Sequence, residues 1–81
     1  MKVTLFSADN CSGCIKVKKF LFDNEINFEE VNLTLNPEKA MILRDLAGIM
    51  SVPVTIVENG KQKEIVVGFN KAKLGEAIKL I

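Results

Sequence analysis

Residues 2–24 read KVTLFSADNCSGCIKVKKFLFDN, and three local patterns follow one another along them. A short β-rich run ends at Ser7, a polar loop follows it, and apolar residues then recur at close to helical spacing from Ser12 onward. The sequence therefore predicts a strand over residues 2–6 and a helix from Ser12 to about Asn24. The predicted apolar side of that helix comprises Ile15, Val17, Leu21 and Phe22.

Three further strands are predicted downstream, over residues 28–33, 54–58 and 63–67. The first of these mixes apolar with charged residues, which suits a strand at or near a sheet edge. Asn59-Gly60 lies between the other two and suits a tight hairpin turn, because both residue types accept left-handed dihedrals.

Two further helices are predicted from their capping residues. Asn36 is expected to cap the second helix, with Pro37 at its first position and Gly48 at its end. Asn70 is expected to cap the last helix. The residues predicted to face the core are Ala40, Leu43, Leu46, Ala47 and Met50 on the second helix, and Leu74, Ala77, Ile78 and Ile81 on the last.

The predicted element order is β-α-β-α-β-β-α, which indicates an α/β fold. Right-handed crossovers make the first two strands parallel, and the closing hairpin adds antiparallel pairing. We expect a mixed four-stranded sheet with helices on both faces, forming one domain over residues 1–81, since so short a chain has room for a single core. The loop that carries Cys11 then lies at the carboxyl edge of the sheet, where binding sites commonly form.

Composition narrows the function classes. Eleven Lys and Arg residues against 10 Asp and Glu residues give a formal charge of +1, which is no electrostatic footprint for a nucleic-acid partner. No apolar run approaches the roughly 20 residues of a membrane span, and the start of the chain has no signal-peptide layout. We therefore expect a cytoplasmic protein, monomeric, with neither nucleic acid nor membrane as a partner.

The motif Cys11-Ser12-Gly13-Cys14 places two thiols at the start of the predicted first helix. Helical geometry sets residues three apart on one face, where their sulfurs can close a disulfide. The first sulfur lies beside unpaired backbone N–H groups and the positive end of the helix dipole, which favours its thiolate. We therefore predict Cys11 as the nucleophile and the more covered Cys14 as the resolving thiol of a redox pair.

Val52-Pro53 directly precedes the third predicted strand. Proline is permitted at the first residue of a strand, and a cis bond there is a purposeful feature. We expect the Val52-Pro53 bond to be cis and to face the cysteine pair. Backbone groups of Val52 are then free to pair with an extended substrate strand.

Two alternatives to a redox protein remain open. Cysteine pairs of this spacing also occur in zinc and iron–sulfur proteins, but with two cysteines and no histidine in the chain a metal or cluster carrier must share the pair across a dimer or recruit other ligands. The other alternative is a binding module that uses the Val52-Pro53 edge without redox chemistry. Because no ligand set is complete, we predict no resident metal.

The lysines that follow the cysteine motif, and Phe69 before the last helix, can each be interpreted in two ways. Lys16, Lys18 and Lys19 either add positive potential near the sulfur and receive an acidic patch of a partner, or form a solvated helix face. Phe69 precedes the last helix on the expected active-site side. It either packs beside a substrate peptide or is buried.

An early Cys-x-x-Cys after the first strand, Val52-Pro53 before a hairpin and Gly68 before the last helix occur in this order. The arrangement resembles the glutaredoxin family of the thioredoxin superfamily, and the resemblance spans essentially the whole chain. The stretch from Val67 to Asn70 is similar to the Ser-Gly-Phe-Arg of the NrdH-redoxins, the glutaredoxin-like hydrogen donors of ribonucleotide reductase. The resemblance implies a thioredoxin-like fold and reduction of protein disulfides. The residues expected to contact substrate beside the cysteines are Ser12, Gly13, Val52, Pro53, Gly68 and Phe69.

The resemblance also implies redox partners. Electrons would come from glutathione or from a thioredoxin-reductase-like flavoprotein, with no cofactor bound to the chain itself, and would pass to protein disulfides, ribonucleotide reductase among the candidates. The chain departs from the family at two places. Ser12-Gly13 stands where glutaredoxins typically carry Pro-Tyr and thioredoxins Gly-Pro. Phe69-Asn70 follows Gly68 where typical glutaredoxins show Gly-Gly followed shortly by Asp, a region that holds the terminal groups of glutathione.

Overall fold

The structure, a computed structural model, describes residues 1–79, and its element order is the predicted one. The strands are β1 (Lys2–Ser7), β2 (Glu29–Asn32), β3 (Val54–Asn59) and β4 (Gln62–Val67). The helices are α1 (Ser12–Asp23), α2 (Ala40–Ala47), which follows a 3₁₀ turn over Pro37–Lys39, and α3 (Lys71–Lys79).

The four strands form one mixed sheet in the order β2-β1-β3-β4. β1 pairs with β2 in parallel and with β3 antiparallel, and β3 pairs antiparallel with β4. β2 therefore lies at an edge of the sheet, as predicted from its charged residues. In the hairpin, Asn59 pairs with Gln62, so the turn consists of Gly60 and Lys61. The expectation that Asn59 itself belongs to the turn is wrong, because it extends β3 instead.

Helices cover both faces of the sheet, as predicted. α1 and α3 pack on one face and α2 packs on the other, so that alternate residues of each strand point into two separate clusters of the core. The first cluster consists of Val3, Leu5, Val17, Leu21, Val57, Val66, Leu74 and Ala77. The second consists of Phe6, Leu43, Val54 and Ile56.

The buried side of α1 is narrower than predicted. Val17 and Leu21 are buried, but Ile15 is 63% exposed and Phe22 is 79% exposed, so the prediction that they share the apolar side is wrong for these two. The buried stripe starts from Cys14 and recurs after three and then four residues. Since successive helical residues are rotated by about 100°, Ile15 and Phe22 fall on the flank that faces away from the sheet.

α2 also buries less than predicted. Leu43 is fully buried, whereas Leu46 and Met50 are exposed, because this short helix touches the sheet along one narrow stripe and Met50 lies beyond its end. Gly48 does end the helix, with the left-handed φ of 73° that glycine accepts most readily. Asn36 is the N-cap residue of the 3₁₀ turn and Pro37 its first residue, but the predicted capping hydrogen bond of the Asn36 side chain is absent. Its side chain donates a hydrogen bond to the carbonyl of Asn32 at 3.3 Å instead.

The prediction for the start of α3 is confirmed. The side-chain oxygen of Asn70 accepts a hydrogen bond from the backbone N–H of Lys73 at 3.0 Å, which satisfies one of the free N–H groups of the first turn. Leu74 and Ala77 are buried and Ile78 packs against the same cluster. The predicted core residue Ile81 lies outside the described residues. Within residues 1–79, every helix is too short or too polar to cross a membrane.

A charged cluster joins α1 to the two strands beneath it. The buried hydroxyl of Ser7 donates a hydrogen bond of 2.6 Å to Glu30, and the ammonium of Lys18 lies 3.1 Å from the same carboxylate oxygen. The hydrogen bond from Ser7 is the main cause that holds the pKa of Glu30 below its usual range; Lys18 adds to the effect and partial burial opposes it. The carboxylate thereby fixes α1 over the parallel strand pair.

The lowered pKa of Glu30 predicts a pH-dependent contribution to stability. Because the folded-state pKa lies below that of the unfolded chain, the contribution is present above the ordinary glutamate pKa and is lost as the pH falls through the folded-state value. We expect Glu30→Gln to lower the free energy of unfolding by about 1 kcal/mol at about pH 7, and by much less at about pH 3.

Urea unfolding of both proteins across that pH range measures the difference. Glu29→Gln is the matched control, since within residues 1–79 the side chain of Glu29 has neither a hydrogen bond nor an ion pair. An effect of Glu30→Gln that stays constant down to about pH 3 would contradict the assignment.

Candidate functional site

Three chain segments meet at one edge of the sheet. β1 ends there, β3 begins there, and β4 ends there, because Phe6 of β1 pairs with Val54 and Val54 pairs with Val67. The loop from β1 to α1 carries Cys11, the residue before β3 is Pro53, and Gly68 follows β4. The topology thus brings the Cys11 loop together with Pro53 and Gly68, which follow it by 42 and 57 residues in the sequence.

Cys11 and Cys14 form a disulfide whose Cα atoms are 5.2 Å apart. Cys11 is the N-cap of α1, with extended backbone dihedrals, and its sulfur accepts a hydrogen bond from the backbone N–H of Cys14 at 3.1 Å. The first turn of α1 contains no acidic residue. The positive end of the helix dipole is therefore uncompensated beside the Cys11 sulfur, which favours a thiolate at this position.

The two sulfurs differ in their access to a partner molecule. Cys14 is 1% exposed, whereas Cys11 is half-buried. A disulfide exchange starts by in-line attack of a thiolate on a sulfur, so the attacking sulfur needs an open side. Of the two, Cys11 has that access and Cys14 does not.

The Val52-Pro53 bond is cis, as predicted. Pro53 lies against the cysteine loop, since a Cβ atom added at Gly13 would stand 3.1 Å from the Pro53 ring. A side chain at residue 13 would press on the Pro53 ring, which would have to shift by a few tenths of an ångström. On its other side, the Pro53 carbonyl accepts a hydrogen bond from the N–H of Gly68 at 2.8 Å.

Val52 keeps its backbone groups unpaired within residues 1–79, since no hydrogen bond in that range uses its N–H or its carbonyl. Its side chain is half-buried against the cluster under α2. An extended chain laid along Val52 can therefore form main-chain hydrogen bonds without displacing a bond of the fold.

The remaining predicted residues lie around this centre. Ser12 is exposed at the start of α1, and Phe69 is 40% exposed, which favours contact with a bound chain over burial. Phe69 lines a groove between α1 and α3 that also includes Phe20 and Lys71, two residues that the sequence did not single out. For Lys71, the only signal in the sequence is its position directly after the Asn70 cap, at the start of α3.

The lysines of α1 divide into two kinds. Lys18 pairs with Glu30, and Lys19 pairs with Asp23 at 2.9 Å. Lys16 has no ion pair within residues 1–79. In that part of the chain, no three or more Cys, Asp or Glu side chains gather where a metal ion could bind. The metal-carrier alternative, which needs a second chain or other ligands, stays an untested prediction.

Known proteins that are similar to this chain have glutaredoxin or thioredoxin-like names, in agreement with the fold and the cysteine pair. The glutaredoxin family model matches residues 3–62. The SPbeta prophage-derived thioredoxin-like protein YosR of Bacillus subtilis (strain 168) is 35% identical over 81 residues, which cover 98% of this chain and 96% of YosR.

Two solved structures are similar over most of their length. The thioredoxin-like protein BC3987 is 25% identical, with a TM-score of 0.82 over 94% of this chain and 99% of that one. NrdH-redoxin from Escherichia coli, described as a glutaredoxin-like protein with a thioredoxin-like activity profile, is 25% identical, with a TM-score of 0.71 over 93% of each chain. The family match includes the cysteine pair and Val52-Pro53 and ends before Phe69 and Lys71.

Proposed function

The chain belongs to the glutaredoxin family, and from that membership and the geometry of the cysteine pair we propose that it reduces disulfide bonds in proteins through Cys11 and Cys14. The observation that carries the proposal is the asymmetry of the pair. Cys11, a half-buried residue at a helix N-terminus, is bonded to Cys14, a residue that is 1% exposed one turn further in.

The proposed cycle starts from the dithiol. Cys11 gives its proton to solvent, and its thiolate attacks one sulfur of a substrate disulfide. A Cys11–substrate bond forms, the substrate S–S bond breaks, and the leaving thiolate takes a proton from solvent. Cys14 then loses its proton and attacks the Cys11 sulfur, which restores the disulfide and releases the second substrate thiol. The substrate gains two electrons and two protons, and the cysteine pair loses the same number.

Substrate contacts follow from what surrounds Cys11. We propose that an extended substrate segment pairs with the free N–H and carbonyl of Val52, beside Pro53. Ser12 and Gly13 would face this segment from the cysteine loop, and Gly68 and Phe69 would bound it from the β4 side.

We propose that a thioredoxin-reductase-like flavoprotein returns the electrons to the pair. Two features support this donor over glutathione: one relative and one similar structure that match over nearly their whole length are named thioredoxin-like, and the chain lacks the Gly-Gly with a following Asp. Ribonucleotide reductase is a candidate substrate, since NrdH-redoxin is among the similar structures. A cytoplasmic monomer acting as one domain over residues 1–81 is part of the same proposal.

Coupled turnover tests the proposed function and its donor together. The purified protein is given a disulfide substrate, and NADPH consumption is followed with thioredoxin reductase in one assay and with glutathione plus its reductase in the other. We expect faster consumption in the flavoprotein assay, corrected for blanks without the protein. Faster NADPH consumption in the glutathione assay would overturn the proposed donor. No consumption above the blanks in either assay, with both thiols intact, would overturn the proposed function.

A further inference from the structure

A groove of about 200 Å³ lies between α1 and the start of α3. Its floor is aromatic, since Phe20 is half-buried and Phe69 is 40% exposed. Its rim is charged and mostly positive. The lining residues are Lys16, Lys19, Phe20, Asp23, Phe69 and Lys71.

The positive charge of the groove is only partly compensated. The one acidic residue, Asp23, already pairs with Lys19 at 2.9 Å. Lys16 and Lys71 have no ion pair or side-chain hydrogen bond within residues 1–79. Two free ammonium groups therefore line the groove together with an exposed aromatic side chain, a combination complementary to carboxylates next to an apolar residue.

One wall of the groove is joined to the redox site through the backbone. Phe69 follows Gly68, whose N–H bonds to the Pro53 carbonyl, and Pro53 in turn lies against Gly13 of the cysteine loop. Lys16 is two residues beyond Cys14 on α1. A substrate chain that follows Val52 and Pro53 is thus led toward Gly68 and Phe69, and Phe69 is one of the residues that line the groove.

We propose that this groove receives an acidic segment of the substrate protein, with glutamate or aspartate beside one apolar side chain, a few residues from the disulfide. The proposal rests on the proposed function, since the segment is delivered with the disulfide that Cys11 attacks. Carboxylates pair with Lys16 and Lys71 while the apolar side chain covers Phe69. The groove thereby selects among protein disulfides by the sequence next to them.

Two synthetic peptides test the selection. Both have the same length, one intramolecular disulfide and one leucine near it; the first has two glutamates beside the leucine and the second has two glutamines. We expect kcat/KM for the acidic peptide to be roughly three- to tenfold higher, as two exposed ion pairs allow. We expect the ratio to approach one at about 1 M salt, where the Debye length is about 3 Å.

Two double variants locate the effect. K16Q with K71Q removes both free charges of the groove and is expected to bring the ratio of the two peptides close to one. K61Q with K63Q removes the same total charge from the β3–β4 hairpin, at the opposite end of those strands, and is expected to keep the ratio of the parent chain.

The outcomes separate the groove from the underlying function. Reduction of both peptides at equal rates by the parent chain would overturn the proposed role of the groove and leave the proposed function standing. Reduction of neither peptide would overturn the proposed function. Glutathione disulfide serves as a third substrate. If its turnover falls with K16Q and K71Q while the two peptides behave alike, the groove holds a small dicarboxylate and the proposal is overturned.

Discussion

Replacement of Cys11 by serine is expected to lower steady-state disulfide turnover on the order of a thousandfold or more. Cys11 is the half-buried residue of the pair, at the helix N-terminus, and its sulfur accepts a hydrogen bond from the N–H of Cys14. A serine hydroxyl is not ionised at neutral pH and forms no disulfide, so the first attack has no nucleophile. NADPH-coupled turnover of a protein disulfide measures the loss.

Cys14→Ser is the matched variant, since it removes the other sulfur from the same turn of helix. Cys14 is 1% exposed, so it acts after Cys11 has bonded to the substrate. We expect this variant to lose turnover as well but to accumulate a mixed disulfide on Cys11, visible in the intact mass. A mixed disulfide that accumulates on Cys14 in Cys11→Ser instead would reverse the two roles.

Leu21→Ala is expected to lower the free energy of unfolding by about 2–5 kcal/mol. Leu21 is fully buried in the cluster that fixes α1 to the sheet, together with Val17, Leu5 and Leu74. Removal of its branched end leaves a cavity between helix and sheet that neighbouring side chains fill only in part. A loss of this size is a large share of the 5–15 kcal/mol, roughly, that stabilises a small domain.

Phe22→Ala is the control, one residue along the same helix. Phe22 is larger than Leu21 but 79% exposed, and we expect its replacement to change the free energy of unfolding by no more than about 0.5 kcal/mol. Urea unfolding of the oxidised proteins measures both. Similar losses in the two variants would mean that α1 is rotated on the sheet relative to the structure.

Most of what places the site was predictable from local sequence. The start of α1 was predictable from the cysteine spacing, the strand before it and the change to helical periodicity. Val52-Pro53 marks the segment that lies against the cysteine loop. These features are local, because capping, proline geometry and periodicity act within a few residues. The parallel pairing of β1 and β2 followed from the handedness of the connection.

The features that could not be predicted from the sequence depend on contacts between segments that are distant in the chain. Apolar residues such as Ile15, Phe22 and Leu46 fit a helical pattern, but the flank of each helix that touches the sheet is decided by how that helix packs in the folded chain. Asn36 was free to cap α2 and instead bonds to Asn32. The groove was also invisible, since it forms only where Phe20 of α1 meets Phe69 and Lys71.

The central claim is that Cys11 and Cys14 exchange electrons with a substrate disulfide as a pair. The most direct measurement is a single turnover, in which the reduced protein is mixed with an equal amount of a disulfide peptide, quenched with acid and alkylated for mass spectrometry. We expect one peptide disulfide reduced for each protein molecule whose two cysteines become inaccessible to alkylation. A peptide that stays oxidised while both cysteines remain alkylated would contradict the account.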